Sequence, residues 1–332
     1  MNYSSINIQG NIISSDILTK IRQDDIRYQK PQDFGLNQNL SLRDEIGSAW
    51  ATAQAQWNVF KIRRERLKDS DSGITDTRNS WIVPLMGALG YELEKGGAEI
   101  INEKSYAISH RAQNRDNFPV HIVGVNQSLD KRADHGPRLS PHALVQEYLN
   151  NHEHLYAITT NGRFLRLLRD ATRLARLTYL EFDLEQIMEE ELYAEFALLF
   201  RVLHATRMPE KQDGGAESII EFYHQEALAS GTRIRERLSQ SVEKSLRVLA
   251  NGFLRHPENR DLIQKIEAED LGAEQYFPQL LRVVYRLLFL LVIEERNLLY
   301  PSDIDEETKR KRNIYRQFYS LHRLTKLAQS RI

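Results

Sequence analysis

The sequence contains no cysteine. That absence excludes a disulfide scaffold, a Cys-ligated zinc site, an iron–sulfur cluster and thiol catalysis. It is compatible with a reducing cytoplasm, the compartment expected here. There is no G-x-x-x-x-G-K-[ST] phosphate loop, no H-E-x-x-H and no G-x-S-x-G elbow, so the usual NTPase, metalloprotease and esterase signatures are missing. No Pro-Pro or Asn-Pro occurs, nor a glycine-rich methyltransferase loop. S-adenosylmethionine is therefore not expected to bind this chain. Excess charge of either sign is lacking too, with Lys+Arg 45 against Asp+Glu 46 and a net of -1. That balance excludes a polybasic protein that coats nucleic acid over its whole surface. Long apolar runs are missing: within Leu280 to Ile293 the longest is Leu287 to Ile293, well short of the roughly 20 residues that span a bilayer. The stretch reads as a buried helix, and no membrane partner is expected.

What is present suits a soluble protein with a sizeable core, 41% hydrophobic and 27% charged over 332 residues. Residues 1–40 are polar and mixed and read as an arm whose helix, around Asp16 to Arg27, docks on something larger. From Ser41 to about Lys68, apolar residues recur at three- and four-residue spacing (Leu42, Ile46, Ala49, Trp57, Phe60), with Ser41 as N-cap. A second helix is expected from about Asp76 to Leu89, ending at Gly90. The period then shortens. Tyr91 to Leu93, Tyr106 to His110 and Val120 to Val125 read as strands. Ser140-Pro141 opens a helix to about Asn150. Leu155 to Thr160 and Phe164 to Leu168 form a hairpin about Asn161-Gly162, and Thr178 to Phe182 is one more strand. From Leu184 onward only helices are expected, at 184–206, 216–229, 232–252, 260–270, 276–299 and 308–328. The expectation is an α+β protein: a mixed-sheet domain over 41–183 and an all-helical domain over 184–332.

Several short motifs stand in a telling order: Ser128-Leu129-Asp130, Pro141-His142, Gln146-Glu147-Tyr148-Leu149, Thr160-Asn161-Gly162-Arg163 and Leu167-Leu168-Arg169-Asp170, with Trp81, Pro84-Leu85 and Leu89-Gly90-Tyr91 upstream. This order resembles the N-terminal nuclease-like region of bacterial restriction–modification proteins of the Eco57I and type IIG kind. It is similar also to the methylases of phage-defence systems such as DISARM. In those proteins a central strand bearing Glu-x-Lys leads to the Ser-Leu-Asp turn, then the Ser/Pro-His helix, then the hairpin. The run LLFLLVIEERNLLYP resembles the connector that leads into their methyltransferase domain. The likeness covers about residues 75 to 330. It implies a PD-(D/E)xK-like fold followed by a helical connector, and an adenine methyltransferase module outside these residues. On this reading the chain is a truncated or separately encoded front half, with duplex DNA and that module or other defence subunits as partners. Mg²⁺ and S-adenosylmethionine are implied for the wider family, and no cofactor for this chain.

One departure governs the chemistry expected. Glu-x-Lys would fall at Gly124-Val125-Asn126, and neither glycine nor asparagine supplies the charge that metal binding and proton transfer need. Substitutes nearby are Glu103, Asp116, Asp130 and Lys131, in expected turns. The leading expectation is a non-catalytic DNA-engaging and scaffolding part of a restriction or defence system. Two alternatives stand beside it: a Mg²⁺-dependent endonuclease with migrated acids, and an interaction subunit that touches only protein.

Two basic groups are candidates for DNA contact. Arg163, Arg166, Arg169, Arg173 and Arg176 recur every three or four residues, and guanidinium suits bidentate phosphate contact. The acids between Glu181 and Glu195 offer the other reading, internal pairing. Lys309-Arg310-Lys311-Arg312, with Tyr315, Phe318 and Tyr319 behind, lies in a stretch (281–332) of net +5. A solvated helix face is the plainer reading of that run. His152 and His154, with His135 and His142, lack a fixed convergence for metal binding. His204 and His224 read as structural.

Overall fold

A computed structural model of the chain describes residues 3–37, 39–68, 70–132, 138–170, 178–300 and 305–329. They divide into two compact units, Met1–Gly231 and Thr232–Ile332.

The first unit is built on a mixed sheet. Its strands, in chain order, are β1 (Ile6–Gln9), β2 (Leu93–Lys95), β3 (Ala98–Ile101), β4 (Lys104–Ala107), β5 (His110–Ala112), β6 (Phe118–Ile122), β7 (Tyr156–Thr160), β8 (Phe164–Arg169) and β9 (Tyr179–Asp183). Seven of them form one sheet in the order β1-β9-β8-β7-β6-β5-β2, and β3 and β4 form a separate hairpin. Within the large sheet β6 and β7 pair in parallel and the other neighbours are antiparallel. A parallel pair needs a crossover. Here it is made by α5 (Pro141–Asn150), whose first turn is capped by Ser140 Oγ accepting from the Ala143 amide at 3.2 Å.

The sheet is covered on both faces. Against one face, α5 packs Leu144, Val145, Tyr148 and Leu149 on Ala157 and Leu168. The other face meets α1 (Ser15–Arg22), α2 (Leu42–Arg64), a π-helical turn (Thr77–Ile82) that continues from α3 (Ile74–Asp76), α4 (Val83–Ala88), α6 (Leu184–Glu189), α7 (Tyr193–Leu203) and the start of α8 (Ile219–Arg255). Trp57, Phe60 and Trp81 cluster there, with ring centroids 5.2–6.4 Å apart.

The division into units differs from the boundary expected at 184. Leu184, Ile187, Phe196, Leu199, Ile220 and Tyr223 belong to the same apolar core as the strands, so the first helices after β9 complete the sheet domain. The 1–40 segment is likewise more than an arm: β1 pairs with β9 through Ile6–Phe182 and Gln9–Tyr179. The expected strand at Tyr106 to His110 is divided between β4 and β5.

The second unit contains the rest of α8, then α9 (Arg260–Glu267), α10 (Ala273–Glu295), α11 (Glu306–Phe318) and α12 (Leu321–Gln329). The break expected near residues 230 and 231 is absent, for α8 is continuous over 37 residues. The unit's small core joins Leu246 to Leu280 and Val284. The burial expected around the whole of α10 is not found. Tyr285 is 60% and Phe289 65% exposed, because only one stripe of the helix meets α8. Among the described residues α10 is the one helix long and apolar enough to cross a membrane by length and composition.

Candidate nucleic-acid interface

Of the motifs singled out in the sequence, Ser128-Leu129-Asp130, Pro141-His142, Thr160-Asn161-Gly162-Arg163 and Trp81 are linked beyond the C-terminal end of β6. Leaving the strand, the chain enters residues 123–132, which are fastened on two sides. On one side, Asn161 Nδ2 donates to the Gln127 carbonyl at 2.8 Å, while Asn161 Oδ1 accepts from the Arg163 and Phe164 amides and shapes the β7–β8 turn. Gly162 takes φ +84 there, and a Cβ would lie 2.9 Å from Thr77 Cγ2, so this turn requires glycine. Trp81 Nε1 donates to the Gly162 carbonyl at 2.8 Å. On the other side, the Asn126 amide nitrogen of the backbone donates to the Ser72 carbonyl and Asn126 Nδ2 to the Asp71 carbonyl, at 3.2 and 2.8 Å. Thr77 Oγ1 accepts from the Val125 amide at 3.1 Å.

The register then lays a polar row across the sheet. His121 faces Thr159, Thr159 faces Arg166, Arg166 faces Glu181, and Glu181 faces Asn7. Residues directly opposite share a face, here the α5 face. Arg166 is the hub, its side chain 6% exposed. Its Nε donates to Glu181 at 2.5 Å, its two terminal nitrogens to Asp130 at 2.6 and 2.8 Å, and its guanidinium lies 4.4 Å from the centre of the Tyr179 ring. Burial disfavours the Arg166 charge, but Asp130 and Glu181 outweigh it and hold the group above the ordinary arginine range. The bonds from Arg166 lower the Asp130 pKa. Burial, then the Arg166 charge, lowers His142 to about 4. His142 Nε2 and Thr159 Oγ1 are buried without a hydrogen-bond partner among the described residues. Internal pairing with the acids between Glu181 and Glu195, the other reading of the arginine series, is what Arg166 and Arg163 show; the alignment of the row across the sheet had no local signal.

The lack of an acid at 124, where the resemblance led one to expect Glu-x-Lys, has a steric explanation. Gly124 is buried, and a Cβ added to it would lie 2.0 Å from the Ser72 carbonyl oxygen. No carboxylate fits there. Asn126 is tied to the 71–72 backbone through its own backbone amide and Nδ2. Of the substitutes, Glu103 lies at the β3–β4 turn with φ +65, and Asp116 accepts from the Gln212 amide at 3.1 Å. Asp130 is held by Arg166, and Lys131 is exposed. Among the described residues no group of three or more metal-ligating side chains converges. The donor set does not fit the Mg²⁺ that the family resemblance implies.

The described members of the arginine series do not share one surface. Residues 163–169 form a turn and a strand, where side chains alternate between faces. Arg163 is half-exposed at the turn, 3.3 Å from Glu185. Arg166 is on the α5 face. Arg169 is on the opposite face, bonded to Glu221 at 2.9 and 3.0 Å. Arg173, Arg176 and His135 lie outside the described residues. In the second unit Lys309 and Lys311 pair with Glu306 and Glu307 along α11, Arg310 is exposed and Arg312 half-buried. His152 meets Glu99 at 3.2 Å and stacks between Tyr148 and His154. His204 bonds Thr206, and His224 the Ile12 carbonyl.

Beside His121 the 123–132 segment and the start of α5 enclose a cavity of about 330 Å³. His121, Asn126, Gln127 and Ser128 form its polar wall, and Lys131 and Arg132 line it while exposed to solvent. Val123, Leu139, Pro141 and Leu144 are the other described residues of the lining. No acid is among these residues. Compared with protein-family models, with curated proteins and with solved structures, the chain matches none.

Proposed function

We propose that the chain is a DNA-engaging and scaffolding part of a bacterial restriction–modification or phage-defence system, without cleavage chemistry of its own. It works beside an adenine methyltransferase module, in the cytoplasm. The mixed sheet supports the reading in outline: β6, the Ser-Leu-Asp turn, the Pro-His helix α5 and the Asn-Gly-Arg hairpin follow one another in the order that the resemblance to PD-(D/E)xK-like proteins calls for. That support is fold-level analogy. The observation that carries the non-nucleolytic part is the contact of Gly124 with the Ser72 carbonyl, which leaves no room for an acid at the end of the central strand. The cations at the same end, Lys131 and Arg132, are exposed and suit phosphate contact.

The test is fluorescence anisotropy of a labelled duplex with the full chain in EDTA, across a salt series. Affinity should fall steeply with salt and weaken in Lys131→Ala/Arg132→Ala, with no cleavage when Mg²⁺ is added. Absence of binding at low salt, or Mg²⁺-dependent cleavage lost in Asp130→Ala, would sink the proposal.

A second reading, an interaction subunit that touches only protein, is favoured by the exposed apolar side of α10, where Phe277, Tyr285, Phe289 and Val292 are uncovered. Co-purification of a stoichiometric partner with no DNA affinity would select it.

A further inference from the structure

The cavity beside His121 has features that phosphate contact alone does not need. At about 330 Å³ it is at the small end of ligand pockets, which run from roughly 300 to 1,000 Å³. A base pair is too large for it, whereas one nucleotide is of the right size. Its walls are of two kinds. Val123, Leu139, Pro141 and Leu144 give an apolar side suited to the face of a ring. The polar side offers one unused acceptor and one unused donor group. Asn126 commits its Nδ2 to the Asp71 carbonyl, and its Oδ1 has no partner among the described residues; Gln127 commits its Oε1 to the Gly124 amide, and its Nε2 has none. Amide groups of this kind read base edges. His121 adds an uncharged imidazole, for burial and then the neighbouring Arg78 and His110 lower it to about 4. Lys131 and Arg132 are not ion-paired among the described residues, so both are available to a phosphate. Among the described residues of the lining there is no acid to pair with a cationic ligand.

We infer that this cavity receives a single nucleotide unit, a base with its 5′-phosphate, presented by an unpaired stretch or frayed end of DNA. The inference rests on the DNA-engaging reading above. Duplex is held by the basic rim, and the extra unpaired nucleotide enters the cavity between the apolar wall and the two amides.

Two measurements on the full 332-residue chain test this. In anisotropy, a duplex with a short unpaired overhang should bind about tenfold more tightly than the same duplex with blunt ends, the gain of burying one base face on the apolar wall. Ser128→Trp, which places an indole in the cavity, should reduce that ratio to one, and Lys131→Glu/Arg132→Glu should weaken both duplexes. In calorimetry, dAMP should bind the unaltered protein more tightly than deoxyadenosine or inorganic phosphate does, a result that needs no variant. Equal affinity for blunt and overhanging duplex, with no dAMP binding, overturns the inference and leaves the DNA-engaging reading standing. Loss of all DNA binding overturns that reading instead. Inorganic phosphate binding as tightly as dAMP overturns the base contact. Binding of dAMP with no gain from the overhang overturns the strand as its source and identifies a free nucleotide as the ligand.

Discussion

Arg166 grips Asp130 with both terminal nitrogens, at 2.6 and 2.8 Å, from inside the protein, while Asp130 itself is 54% exposed. The pair thereby anchors the segment carrying Lys131 and Arg132 to the middle of the sheet. Because Arg166 also pairs with Glu181, which is buried, its two partners do not contribute equally.

Removing the arginine strands a buried carboxylate, and removing Asp130 does not. Arg166→Ala should cost about 3–5 kcal/mol of folding stability, and Asp130→Ala less, about 1–2 kcal/mol, since it leaves the terminal nitrogens of the buried Arg166 without their carboxylate but keeps Glu181. Urea unfolding followed by circular dichroism measures both. Equal losses would contradict the assigned hierarchy.

Gly124→Ala tests the steric argument. Its methyl group would meet the Ser72 carbonyl, a backbone atom that cannot rotate away, so the 71–73 segment must shift. A destabilisation of about 1–3 kcal/mol is expected. Gly124→Glu should be no milder and should acquire no Mg²⁺-dependent cleavage. A Gly124→Ala protein as stable as its parent would show that the segment yields freely.

Acid should unfold the first unit in a defined window. Burial is the first cause that lowers His110, His121, His142 and His204 to about 4 and His154 to about 3. The unfolded chain binds these protons near 6.5, so between about 6.5 and 4 it holds more protons than the native state and stability falls as pH falls. A fully shifted histidine contributes on the order of 3 kcal/mol. Thermal melts at pH 7, 6, 5 and 4 should show a progressive decline, and a flat profile would refute it.

The two sides of α10 should respond differently to truncation. Leu280, 5% exposed, packs with Leu246 and Val284, and Leu280→Ala should cost about 2–3 kcal/mol. Phe289→Ala should change stability by less than about 0.5 kcal/mol. A large loss at Phe289, measured by denaturant unfolding of the same chain, would mean that its ring is covered in solution.

Much of the local structure could be read from a few residues. Ser140-Pro141 marked the start of α5 and Asn161-Gly162 the hairpin, because caps and tight turns are chosen by side chains within a few positions of the backbone they satisfy. The recurrence of the arginines did not translate into one patch for a related reason: on β8 a three-residue interval places Arg166 and Arg169 on opposite faces of the sheet. The role of β1 was hidden because four residues of modest apolarity become a strand only when β9, more than 170 positions away, pairs with them.

The sequence by itself determined the α+β character of the chain, the turn at Asn161-Gly162 and the lack of an acid at 124 and 126. Tertiary structure alone decided what space positions 124 and 126 have, where Arg163, Arg166 and Arg169 point and which of the described charges meet. Strand register aligns His121, Thr159, Arg166, Glu181 and Asn7 in one row, and the close passage of Ser72 forbids a side chain at Gly124. The physical reason is range. Turns and caps are satisfied by neighbours along the chain, whereas the partners of a buried charge, and the space beside a glycine, are set by segments that folding brings together from distant positions.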